Sequence, residues 1–173
     1  MNKIIINDHN LKEEEIELKV TRVKALLINS SGKILLAHNN NTYQFPGGHV
    51  DDNESRDQCI IREIKEETGI DVIVKEPPFL KIVTYDYDYF GRGKKVLNTI
   101  YYYVFYTDEE PNIDETHYDE LELETDFNLF YINIDELDSF IKKSMSSNNM
   151  DSNIGREMLY VYEEYEKYKK NNH

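Results

Sequence analysis

Glu63, Glu66 and Glu67 are the acidic residues of the run Arg62-Glu63-Ile64-Lys65-Glu66-Glu67. At about 100° per residue the three share an arc of roughly 100° on one side of a helix. Like charges so placed repel by roughly a few tenths of a kcal/mol per pair, and a cation would remove that cost. Oxygen ligands of this kind suit Mg2+ or Mn2+, since magnesium takes only one or two carboxylates and leaves its other positions to water and phosphate. Zinc, which wants His and Cys ligands, is disfavoured. For three glutamates alone, the solvated face of a very acidic helix is the stronger reading.

The elements around them must hold such a site still. Ile60, Ile61 and Ile64 occupy the arc next to the glutamates and predict that this side of the helix packs on a sheet. Asp51, Asp52, Asn53 and Ser55 offer N-caps, and Gly69 sits where a C-terminal cap would end the helix. Before it, Pro46-Gly47-Gly48 interrupts regular structure and lets backbone approach a ligand or the next element. Val20–Ile28 and Ile34–Ala37 read as strands joined by the turn residues Asn29-Ser30-Ser31-Gly32, with a short extended piece at Tyr43–Phe45.

Downstream, Leu80–Phe90 and Val96–Tyr106 flank Gly91-Arg92-Gly93-Lys94-Lys95 as a long hairpin. Thr107–Thr125 is acidic and long for a connection. A strand at Phe127–Ile134, a short helix at Asp135–Lys143 capped by Asp135, and an amphipathic helix at Gly155–Lys170 complete the chain. Tyr85, Tyr87 and Tyr89 alternate along one predicted strand; a stacking wall for a nucleobase is one reading, and a half-buried sheet face is the stronger one. Cys59 reads as a small packed residue.

Composition narrows the partners. The chain has 173 residues, 34 acidic against 20 basic, for a formal charge of -14. That length suits a single domain over residues 1–173, and that charge disfavours DNA, RNA and anionic membranes. One cysteine excludes an intrachain disulfide and points to a reducing cytoplasm, and the amino terminus is too short in apolar residues for a signal core or membrane span.

Gly48, five residues, Glu54, seven residues, Arg62-Glu63-Ile64, one residue, Glu66-Glu67, one residue, Gly69-Ile70 resembles the Nudix box at every defined position. The box covers residues 48–70, and the layout of the other elements extends the resemblance from about Val20 to the end of the chain. The resemblance implies an α/β/α sandwich with a mixed central sheet, a catalytic loop-helix and a C-terminal helix. It implies Mg2+-dependent, or Mn2+-dependent, hydrolysis of a nucleoside diphosphate linked to another group. By position, Glu63 and Glu67 become the main metal ligands, Glu66 a further one, and the carbonyl of Gly48 or Gly47 a candidate addition; Glu54 and Arg62 support the loop and helix.

The base that takes the proton of water falls to a box glutamate such as Glu66 or to the later acidic segment, with Glu120, Glu122 and Glu124 preferred over Glu110 and Glu115. Arg22, Phe45 and Tyr85 are the expected substrate contacts, with Lys24 and His49 as further candidates. A tyrosine at about the distance of Tyr85 or Tyr87 marks dinucleoside polyphosphate hydrolases of the family, while the proline of many ADP-ribose pyrophosphatases is missing, since Pro77 and Pro78 come too early. The expected substrate is a nucleoside triphosphate, nucleotide sugar or dinucleoside polyphosphate; an RNA 5′-end pyrophosphohydrolase and a silent nucleotide-binding domain are the alternatives. The amino-terminal segment is left between a homodimer contact and a free edge strand.

Overall fold

The computed structural model describes residues 1–39, 42–117 and 127–172. Strands β1 (Asn2–Ile6), β2 (Leu18–Ile28), β3 (Lys33–Asn39) and β4 (Thr42–Gln44) precede helix α1 (Arg56–Thr68). Then follow β5 (Leu80–Asp86), β6 (Val96–Tyr106), β7 (Asn128–Asn133), α2 (Leu137–Ser146) and α3 (Ser152–Asn172). The strands form one mixed sheet in the order β1-β5-β6-β2-β3-β4, with β7 also paired to β3. β1 runs parallel to β5 and β2 parallel to β6, while β5 and β6 are antiparallel, as the predicted hairpin requires. The amino-terminal segment thus supplies an edge strand.

The alternation of β2 builds two cores. Leu26 and Ile28 join Leu137, Ile141, Met158, Val161 and Tyr165 from α2 and α3 on one face. Val23, Ala25 and Leu27 join Cys59, Ile60 and Ile64 from α1 on the other. Side chains at alternate strand positions point to opposite faces, so a strand apolar at consecutive positions demands cover on both sides. The sandwich expected from the sequence is therefore the fold observed. Among the described residues no helix is long and apolar enough to cross a membrane.

β2 and β3 pair at Ile28 and Ile34, and the returning chain then enters between them. β4 pairs with the end of β3, and the segment after it takes hydrogen bonds from β2: Ala25 N–H to the Pro46 carbonyl at 2.9 Å and Val23 N–H to the Gly48 carbonyl at 3.0 Å. The glycine pair is thereby fixed against the central strand. α1 then begins with a capping box, in which Ser55 Oγ accepts from Gln58 N–H at 3.2 Å and Gln58 Oε1 accepts from Ser55 N–H at 2.8 Å. It ends at Gly69, whose φ of +73° suits a residue without Cβ.

Four local expectations are corrected. β5 stops at Asp86, and Tyr89–Gly91 forms a short 3-10 turn, so Tyr85, Tyr87 and Tyr89 do not alternate along a strand. Asp135 lies inside a 3-10 turn at Ile134–Glu136 and does not cap α2, which starts at Leu137. α3 begins earlier than its apolar spacing suggested, because Asp151 Oδ1 accepts from Asn153 N–H at 2.8 Å and Ile154 N–H at 3.2 Å. Ile61, expected on the packed side, is 40 % exposed, while Ile60 and Ile64 are fully buried. The contact face is narrower than the apolar arc. Ile64→Ala is expected to cost about 3 kcal/mol in urea denaturation and Ile61→Ala about 0.5 kcal/mol or less.

Candidate active site

Two carboxylates of α1 meet the glycine pair. Gly47 N–H donates to Glu67 Oε2 at 2.9 Å, and a Cβ on Gly48 would fall on the Glu63 carboxylate. Gly47 itself has φ +138° and lies so close to β2 that a Cβ would strike the Val23 carbonyl. Close approach to a strand requires glycine at position 47, while at position 48 a side chain would displace the Glu63 carboxylate. The Gly48 carbonyl already accepts the Val23 N–H, so any further partner shares that oxygen.

Arg62 answers the repulsion among the acids. Its guanidinium donates to Glu63 Oε1 at 2.9 Å, to Glu66 Oε2 at 2.9 Å, and to both oxygens of Glu54 at 2.6 and 3.1 Å. It also reaches the His49 carbonyl at 3.3 Å, tying the loop to the helix. The hydrogen bond from Arg62, opposed by burial, lowers Glu54 to about 2 from an ordinary 4.5, and the same carboxylate raises the Arg62 pKa. Arg62 on the helix is thus joined to Glu54 of the preceding loop. Cys59 Sγ donates to the His49 carbonyl at 3.1 Å, and burial pushes its thiol pKa up, in keeping with a packed, unreactive residue.

Among the described residues no three His, Cys, Asp or Glu side chains already close into a metal-coordinating group. The donors nevertheless fit a hard divalent ion: Glu63 and Glu67 flank the same glycine backbone, and every nearby acid offers oxygen. Glu67 is 6 % exposed, whereas the Glu66 side chain is 37 % exposed.

Of the expected substrate contacts, Arg22 is brought beside this loop through a bridge to His49. Its guanidinium reaches the Tyr89 hydroxyl, and its Nε is buried without a partner. Burial first, then the Arg22 cation, lowers the His49 pKa, which favours a neutral ring. Phe45 is corrected: it is fully buried, edge-on to Tyr102 with ring centroids 6.2 Å apart, so it belongs to the core and not to a ligand surface. Tyr85 pairs with Leu97 in the row of Lys19, four residues along β2 from Val23. That is about 13 Å along the sheet from the glycine pair's partner. The structure does not bring it to the glutamates. Glu120, Glu122 and Glu124 lie outside the described residues.

Lys24 does not reach the loop. Its Nζ pairs with Glu157 Oε1 of α3 at 3.1 Å, with side chains 6 % and 10 % exposed, and the Tyr102 hydroxyl donates to the same oxygen. Sequence reasoning missed Glu157, one acid among many on a charged helix. The available signal was the lysine itself, set in an apolar strand where a buried cation needs a partner. Nearby Asp86, close enough to feel Arg22 and Glu157, has its pKa raised chiefly by burial.

A family model described as NUDIX domain matches residues 18–149. The chain belongs to the Nudix family. A CTP pyrophosphohydrolase from Escherichia coli is 38% identical over 65 residues, 34% of this chain and 48% of that protein, so the match spans about half of that relative's length. A Nudix hydrolase structure from Nitrosomonas europaea has TM-score 0.59 at 18% identity, covering 87% of this chain and 90% of the other. A bifunctional NMN adenylyltransferase/ADP-ribose pyrophosphatase from Francisella tularensis, complexed with AMP and a Mn ion, has TM-score 0.58 at 23% identity, covering 84% of this chain and 42% of that one. These structures show that the Nudix box here stands on the Nudix fold.

Ionised Glu54 stabilises the folded chain in full above its ordinary 4.5, and that stability is lost as pH falls through about 2. Glu54→Gln is therefore expected to unfold at lower urea than wild type at neutral pH. The gap should close in urea titrations as pH is lowered across that window.

Proposed function

We propose that this chain is a divalent-metal-dependent hydrolase that cleaves the diphosphate linkage of a small nucleotide. The observation that carries the reading is the seating of Glu63 and Glu67 against Gly47 and Gly48 within a complete Nudix box. Glu63 and Glu67 would hold the ion, with Glu66 as a further ligand or, in our assignment, as the more exposed carboxylate that holds the attacking water and takes its proton. When bound, Mg2+ or Mn2+ orients the diphosphate and offsets charge on the leaving oxygen.

The chain's own residues prepare that chemistry. Arg62 bridges Glu63 and Glu66 and ties them to Glu54, so α1 tolerates its charge before substrate arrives. The glycines bring backbone to the carboxylates without a side chain between. Arg22, beside His49 at the edge of the loop, is assigned to substrate phosphate. A free nucleotide is favoured over RNA because a charge of -14 repels an extended phosphate backbone. The nucleotide names of the E. coli relative and of the AMP-bound Francisella structure support the substrate class.

The test is turnover of the purified chain on CTP, a nucleotide sugar and a dinucleoside polyphosphate with Mg2+ or Mn2+. EDTA is expected to abolish it. Glu67→Gln, which can still accept the Gly47 N–H, should lower kcat by about 100-fold. Turnover that survives EDTA, or an unchanged Glu67→Gln enzyme, would remove the metal reading; preference for triphosphorylated RNA would overturn the substrate class.

A further inference from the structure

Lys65 stands at the position between Ile64 and Glu66 that the Nudix box leaves undefined. Its ammonium has three donors, and three acceptors surround it: the Gly69 carbonyl at 3.0 Å, Asp71 Oδ2 at 3.0 Å and Glu115 Oε2 at 2.5 Å. Glu115 belongs to a segment that folds on itself, its N–H donating to the Asn112 carbonyl at 3.0 Å and its Oε1 accepting from Asn112 Nδ2 at 2.9 Å.

That segment covers the end of α1. Asn112 N–H donates to the Thr68 carbonyl and His117 N–H to the Glu66 carbonyl, both at 2.9 Å. A Cβ on Gly69 would strike the Asn112 carbonyl, so the approach is as close as glycine permits. A helix end leaves its last carbonyls without intrahelical partners. Here those carbonyls belong to the turn that carries Glu66 and Glu67; Gly69 N–H takes the Lys65 carbonyl, and residues 112–117 satisfy those of Glu66 and Thr68 from outside the helix.

We propose that Lys65 and Glu115 form a positioning clamp that locks this segment onto α1 and so fixes the turn bearing Glu66 and Glu67 for a divalent ion. The inference rests on the metal reading given under Proposed function. Neither residue touches the reacting atoms; both act through the glutamates. Position and charge make opposite demands. By charge alone, removing the Lys65 cation would tighten a metal ion and neutralising Glu115 would loosen it. By position, both changes loosen it.

The experiment is Mn2+ titration of the purified, substrate-free chain followed by the electron paramagnetic resonance of free Mn2+, with thermal unfolding in EDTA alongside. Lys65→Met and Glu115→Gln are each expected to weaken Mn2+ binding by about tenfold, as outer-shell changes do, with Lys65→Arg restoring most of it. Opposite shifts in the two variants overturn the proposal, as do unchanged affinities, including the case where only the unfolding temperature falls. If Glu67→Gln binds Mn2+ as wild type does, the metal reading fails and the clamp with it. If binding depends on Glu67 and ignores the two clamp variants, the clamp alone fails.

Discussion

The site depends on one guanidinium among acids. Arg62 contacts Glu54, Glu63 and Glu66 at once, and without it the loop and the helix would meet through repulsion. A planar fork with five donors can serve three carboxylates in a way that a single ammonium cannot. Its partial burial strengthens these contacts relative to exposed pairs, which contribute little. The acids are thereby gathered in one place while their charge is compensated, an arrangement that the proposed metal site would need.

The sheet decides where that gathering happens. Because β2 and β3 part after Ile28 and Ile34, the returning chain lies beside β2 and its glycines lie under the glutamates of α1. The central strand is covered by α1 on one face and by α2 and α3 on the other, and neither face can shift without exposing apolar surface. On the α3 side, Lys24, Glu157 and Tyr102 place a buried polar contact within that cover. Removing one partner of such a contact would strand a charge in the interior.

Legibility in the sequence followed the range of the interaction. The α1 helix, its Gly69 stop and the Asn29–Gly32 turn are legible because each is set by chemistry within a few residues, and of the four N-cap candidates the structure uses Ser55. The strand pairing of β5 with β6 followed for the same reason, a tip of glycines and lysines between two β-prone runs. The tyrosine run was misread because alternation in sequence says nothing of where a strand stops. Phe45 was misread because its neighbours in sequence belong to the loop while its side chain belongs to the core.

The sequence by itself determined the Nudix box and with it the kind of helix, the acids on it and the arginine between them. Those features depend on spacings of three and four residues, which a helix converts directly into proximity. Only the tertiary structure decided that Gly48 abuts Glu63, that Phe45 is buried, that Lys24 spends its charge on Glu157, and that Lys65 reaches Glu115. Those partners are separated by long stretches of chain, and their meeting is set by how the sheet and its covering layers pack rather than by any local spacing.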